Sequence, residues 1–115
     1  MDNTIQNFAE DIESRTYDFI QALPSKQIVH FVNEVYKVPI REKTIESTKQ
    51  KINSKNVIYF FNHLFEIIND KLLTHYLKLN YQKDLLMLDK ETEQIKINRN
   101  ELIYNFLCYF GFKFN

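Results

Sequence analysis

Apolar residues recur along most of this chain with the period of a helix. In residues 4–23, Ile5, Phe8, Ile12, Phe19 and Leu23 are spaced three, four or seven apart and so share one helical face. Glu10, Asp11, Glu13 and Asp18 populate the other side. Pro24 ends this element, because the residue before a proline avoids the helical region. Ser25 stands where an N-cap belongs, ahead of a second helix over residues 26–37. Its apolar arc is Ile28, Val32, Val35 and Tyr36, with Phe31 beside it, and Pro39 ends it. Residues 40–53, IREKTIESTKQKIN, offer only Ile40, Ile45 and Ile52 as large apolar groups. Such a stretch suits a thin, exposed helix or a loop.

The densest pattern follows, with Ser54 as its expected cap. Over residues 55–78, Val57, Phe60, Phe61, Leu64, Phe65, Ile68, Leu72 and Tyr76 cover well over half the circumference, as expected of a central core helix. The period then changes. In LLMLDKETEQIKIN, an apolar run and a turn-like Asp-Lys-Glu-Thr precede Ile95 and Ile97, which alternate with Gln94 and Lys96; this predicts a β-hairpin. Glu93 stands where such turns favour glycine. Asn98 with Glu101 three residues on is a capping-box pattern that opens a last helix through Phe110, and Gly111 sits at its C′ position. The alternation in the tail FKFN suits a third strand. The expected fold is mainly α, a compact bundle of four to five helices with one small β-hairpin (α+β at the margin), in a single helical domain over residues 1–115.

Composition narrows the function more than the fold. A single cysteine, Cys108, excludes an intramolecular disulfide and a cysteine-based zinc cage. A single glycine, Gly111, excludes the glycine-rich loops that let backbone approach a phosphate. No cofactor is expected. No apolar run approaches the roughly 20 residues that span a bilayer. The opening MDNTIQNFAED has no apolar core of a signal peptide, so a cytoplasmic location is expected. Usage favours Phe, Tyr, Ile, Asn and Lys over Gly, Ala, Arg and Pro. That skew reports an AT-rich gene and suits an acquired element such as a phage, plasmid or toxin locus.

Three histidines and one thiol are the candidates for chemistry. His63, Glu66 and Asp70 fall within about a sixth of a turn of one another, as metal ligands on one helix must. A metal site also needs closure from a second element, and no HExxH pattern is present, so a solvated outer wall is the plainer reading. His75 lies among apolar residues and reads as a core-edge histidine rather than a general base. Cys108 reads as a small, reduced packing residue. No catalytic constellation assembles, and enzyme activity is not expected.

Charge is unevenly spread within a net charge of zero. Residues 1–23 hold five acidic residues against Arg15. Residues 24–55 hold seven basic against three acidic residues. The acidic first helix, with Glu10, Asp11, Glu13, Tyr17 and Asp18, is the expected partner-binding surface, suited to a basic protein such as a nuclease toxin. The leading expectation is a small inhibitor, immunity or antitoxin-type protein acting by surface recognition. The alternative is a winged-helix-like nucleic-acid-binding regulator using residues 26–55, with the hairpin as wing. A zero total charge and scattered basic positions disfavour it.

Overall fold

The computed structural model describes the backbone of residues 3–79 and 97–113 and the side chains of residues 11–75 and 97–113. Among them are five α-helices: α1 (Asn3–Ala22), α2 (Ser25–Tyr36), α3 (Glu42–Gln50), α4 (Ile58–Leu79) and α5 (Arg99–Tyr109). The protein is mainly helical. The expected hairpin lies almost wholly outside the described residues, and Phe112 and Lys113 of the tail are not in a strand.

Local chemistry explains the boundaries, including two that differ from expectation. Ser25 is not the cap of α2 but its first residue, buried, and no side chain caps this end. Pro24 takes the cap position because its locked φ of −59° and ψ of 135° suit the entry, and its carbonyl accepts from the Gln27 amide at 2.9 Å. Ser54 does not cap α4 either. Asn56 Oδ1 accepts from the Asn53 amide at 2.6 Å and Asn53 Oδ1 accepts from the Lys55 amide at 2.8 Å. These side-chain bonds offer the backbone an alternative to the helix and delay it to Ile58. At α5 Asn98 caps as expected: its Oδ1 accepts from the Asn100 and Glu101 amides at 2.8 and 3.2 Å, the Asn98 half of a capping box.

The far end of α5 closes as a Schellman motif. The Phe112 amide donates to Leu107 O at 2.9 Å and the Gly111 amide to Cys108 O at 3.2 Å. Gly111 adopts φ +74°, a region open to glycine without strain. The motif aims Phe112 at α1, where its ring meets Phe19 edge-on at 5.2 Å and lies under the Arg15 guanidinium. Arg15 also donates to Lys113 O.

Residues 40–53 contribute more than a thin helix would suggest. Ile40, Ile45 and Ile52 are all buried, and α3 packs on both α2 and α4. Thr48, also buried, satisfies its hydroxyl on Thr44 O at 2.8 Å. On α2 the arc is centred differently from expectation. Phe31 is fully buried with Ile28 and Val32, whereas Val35, one residue before the helix ends, is 39% exposed. At that end Lys37 turns left-handed, with φ 58°, and directs Val38 and Ile40 inward.

The centre is aromatic. Phe106 of α5 sits edge-on or inclined to Phe31, Phe60, Phe61 and Phe110 at centroid distances of 5.5, 5.8, 5.3 and 4.9 Å. α4 supplies Phe60, Phe61, Leu64 and Ile68 to this core, as its pattern requires. α5 runs antiparallel to α4, its Phe106 against Phe60 and Phe61 while the Ile97 amide just before it donates to Asn69 Oδ1 at 3.0 Å.

Candidate functional site

The acidic residues of α1 divide between two flanks. Asp11 and Asp18 are exposed on one side, where Asp11 pairs with Arg15 at 3.7 Å and Asp18 borders a shallow depression with Arg15, Phe19 and Phe112. Glu13, two residues from Asp11 and so about 200° round the helix, faces the corner formed by Ser54 and Lys55. Tyr17 shares the side of Glu13 and packs half-buried against the core. The side chain of Glu10 lies outside the described residues. Between the flanks, Thr16 and Ile20 anchor the helix on the core.

His63 is half-buried, and Glu66 and Asp70 are exposed on the outer side of α4. Among the described residues no three His, Cys, Asp or Glu side chains gather closely enough to hold a metal ion. Glu66 instead borders a polar depression with Asn62, Asn98 and Arg99, in which Arg99 donates to Asn62 Oδ1 at 3.0 Å.

His75 and Cys108 depart from expectation. His75 is exposed: it shares the face of Leu64 and Ile68, but α5 begins opposite Asn69 and does not extend over the last turns of α4. There it lines a groove of about 520 Å³ with Lys37, Val38, Pro39, Asp70 and Leu72. Cys108 is exposed because it lies two residues, more than half a turn, from Phe106, on the outward stripe of α5.

The basic segment is partly engaged in structure. Lys49 donates from Nζ to Leu23 O at the C-terminal end of α1, a favourable place for a cation. Burial lowers its pKa, and the nearby Glu46 opposes that shift. Gln21 returns a bond from Nε2 to Lys49 O at 2.9 Å. Lys49 is therefore occupied in joining α3 to α1.

The most developed polar arrangement among the described residues joins α2 to α5. Tyr109 donates its hydroxyl to Glu34 Oε2 at 3.1 Å, and the same oxygen lies 2.6 Å from His30 Nε2. Four residues back along α5, Asn105 Nδ2 donates to Tyr36 Oη at 3.2 Å. Desolvation raises the pKa of the Tyr109 hydroxyl, as does its bond to Glu34. Burial raises that of Tyr36, opposed by the Asn105 bond and aided by the Glu101 charge. Nothing in the sequence pattern pointed to this seam. The only local signal is the spacing of four between His30 and Glu34 and between Asn105 and Tyr109.

Comparison of the chain with protein-family models, with curated proteins and with solved structures found no match. The surface itself therefore carries the functional argument.

Proposed function

We propose that this protein acts by recognising and neutralising a basic protein partner, in the manner of an inhibitor, immunity protein or antitoxin, with a nuclease toxin encoded beside it as the partner of choice. One observation carries the reading. Buried Thr16 and Ile20 seat α1 on the core, while Asp11 and Asp18 stand exposed on its outer flank. Carboxylates held on a seated helix are pre-positioned for a cationic surface. Charge complementarity of that kind raises the association rate and selects the docking register.

The test is to mix the purified protein with the product of the adjacent gene. A stoichiometric complex, together with loss of the partner's toxic or nuclease activity, is the expected result. Neither complex nor protection ends the proposal. Aspartate-to-asparagine changes at Asp11 and Asp18 are expected to slow association more than they speed dissociation, because exposed charges act chiefly on encounter.

A further inference from the structure

Among the described residues, Lys37 is the one residue other than glycine with a positive φ. At φ 58° and ψ 34° it holds the left-handed position after α2, which helices usually give to glycine or asparagine, because a Cβ there crowds the neighbouring carbonyl oxygen. Its amide bond to Asn33 O at 3.0 Å and the burial of Val38 and Ile40 just after it hold the turn against that strain. A cation favours the carbonyl end of a helix, but the last turn of α2 contains no basic residue, and a lysine there would gain the same attraction without strain. The left-handed turn also brings Lys37 to the groove of about 520 Å³ that it shares with Lys71 and His75, towards the end of α4. Val38, Pro39 and Leu72 supply apolar lining. Asp70 borders the groove as well, yet among the described residues Lys37, Asp70, Lys71 and His75 make neither a salt bridge nor a side-chain hydrogen bond. The two ammonium groups are thus not neutralised by contact, and they outnumber the carboxylate.

We infer that this groove binds a small organic carboxylate with an apolar body, its anionic end held by Lys37 and Lys71 and its carbon chain laid on Val38, Pro39 and Leu72. A cavity of this size, with an apolar lining and a few polar groups at its edge, has the usual form of a small-molecule site. Lysine suits a compact anion, because its ammonium is a point charge that does not demand the planar match of arginine. The strain at Lys37 then has a use: it sets the charge where the ligand's anionic end lies. None of the described lining residues belongs to α1, so the inference stands independently of the recognition reading above.

The test titrates sodium octanoate, sodium acetate and octylammonium chloride separately into the ¹⁵N-labelled full chain, below micelle-forming concentrations. Octanoate is expected to shift the amides of Lys37, Val38 and residues 70–75. It should bind about ten-fold more tightly than acetate, which lacks the chain, a ratio that roughly two buried methylene groups supply. The same margin is expected over octylammonium, which reverses the charge. K37M and K71M should each weaken octanoate about five-fold with the urea midpoint unchanged. K37G should weaken it equally while raising the urea midpoint, by about five-fold in the ratio of folded to unfolded chain, because glycine accepts the left-handed turn. Absence of octanoate binding, equal affinity for octylammonium, shifts centred on other residues, unchanged affinity in K37M, or a K37G chain no more stable than the native one each overturns the inference. The recognition reading stands or falls separately, on the complex with the neighbouring gene's product.

Discussion

Replacing Phe106 with alanine is expected to remove about 3–5 kcal/mol of stability, the range for deleting a fully buried phenylalanine ring. The structure places it at the upper end. The side chain is 0% exposed and touches four other rings from three elements of the chain, so little can collapse into the space it leaves. Edge-on ring pairs each add about 0.5–1.5 kcal/mol beyond burial, though the four share one partner and will not sum. F106L separates the two contributions. It keeps most of the apolar volume and loses the ring geometry, so a cost of about 1–2 kcal/mol is expected. Y104A, two residues earlier on the same helix but largely in water, is the control and should stay within about 0.5 kcal/mol. Urea unfolding at fixed temperature reads all three from the midpoint, provided the slope is unchanged. Domains of this size are stable by roughly 5–15 kcal/mol, so F106A should remain measurable or unfold outright. If F106A costs less than about 1 kcal/mol, or no more than Y104A, the aromatic centre described above is not what holds the helices together.

Other expectations follow from single contacts. N98A removes the acceptor for two amides at the start of α5 and should cost about 1 kcal/mol by urea unfolding, with N98D close to neutral. G111A meets no atom within 4 Å, so its cost of about 1–2 kcal/mol is backbone strain alone, and G111N should recover part of it. Above pH 10 stability should fall through Tyr36. Its folded pKa is raised chiefly by burial, so the folded state holds the proton longer; that contribution is complete below the ordinary value of 10.0 and is lost as pH rises through the folded value. Y36F should therefore lose less stability than the native chain between pH 9 and 11, and an identical loss would refute the assignment.

Signals confined to a few adjacent residues were legible in the sequence. Asn98, Gly111 and the apolar seam of α4 state their roles through spacing alone, and the structure follows them. Ser25 and Ser54 looked like caps by residue type, but Pro24 and the Asn53–Asn56 pair compete for the same backbone positions and prevail. The weight of residues 40–53 was underestimated because three isoleucines form no dense face of their own. Each is buried by a neighbouring element, a property of the assembled chain. His75 and Cys108 sit among apolar letters, and their exposure depends on where α5 begins over α4 and which way it faces. The α2–α5 seam was the least visible feature. Its partners are 69 and 75 residues apart, and nothing local marks Tyr36 for Asn105 or Glu34 for Tyr109.

The docking of Phe112 on Phe19 has a bearing on synthesis. During translation α1 leaves the ribosome first, yet the ring and the backbone carbonyl that receive its Phe19 and Arg15 arrive more than ninety residues later. Until then the nascent chain must carry the apolar face of α1 without its lid, a condition that slows closure and invites chaperone binding or association between unfinished copies.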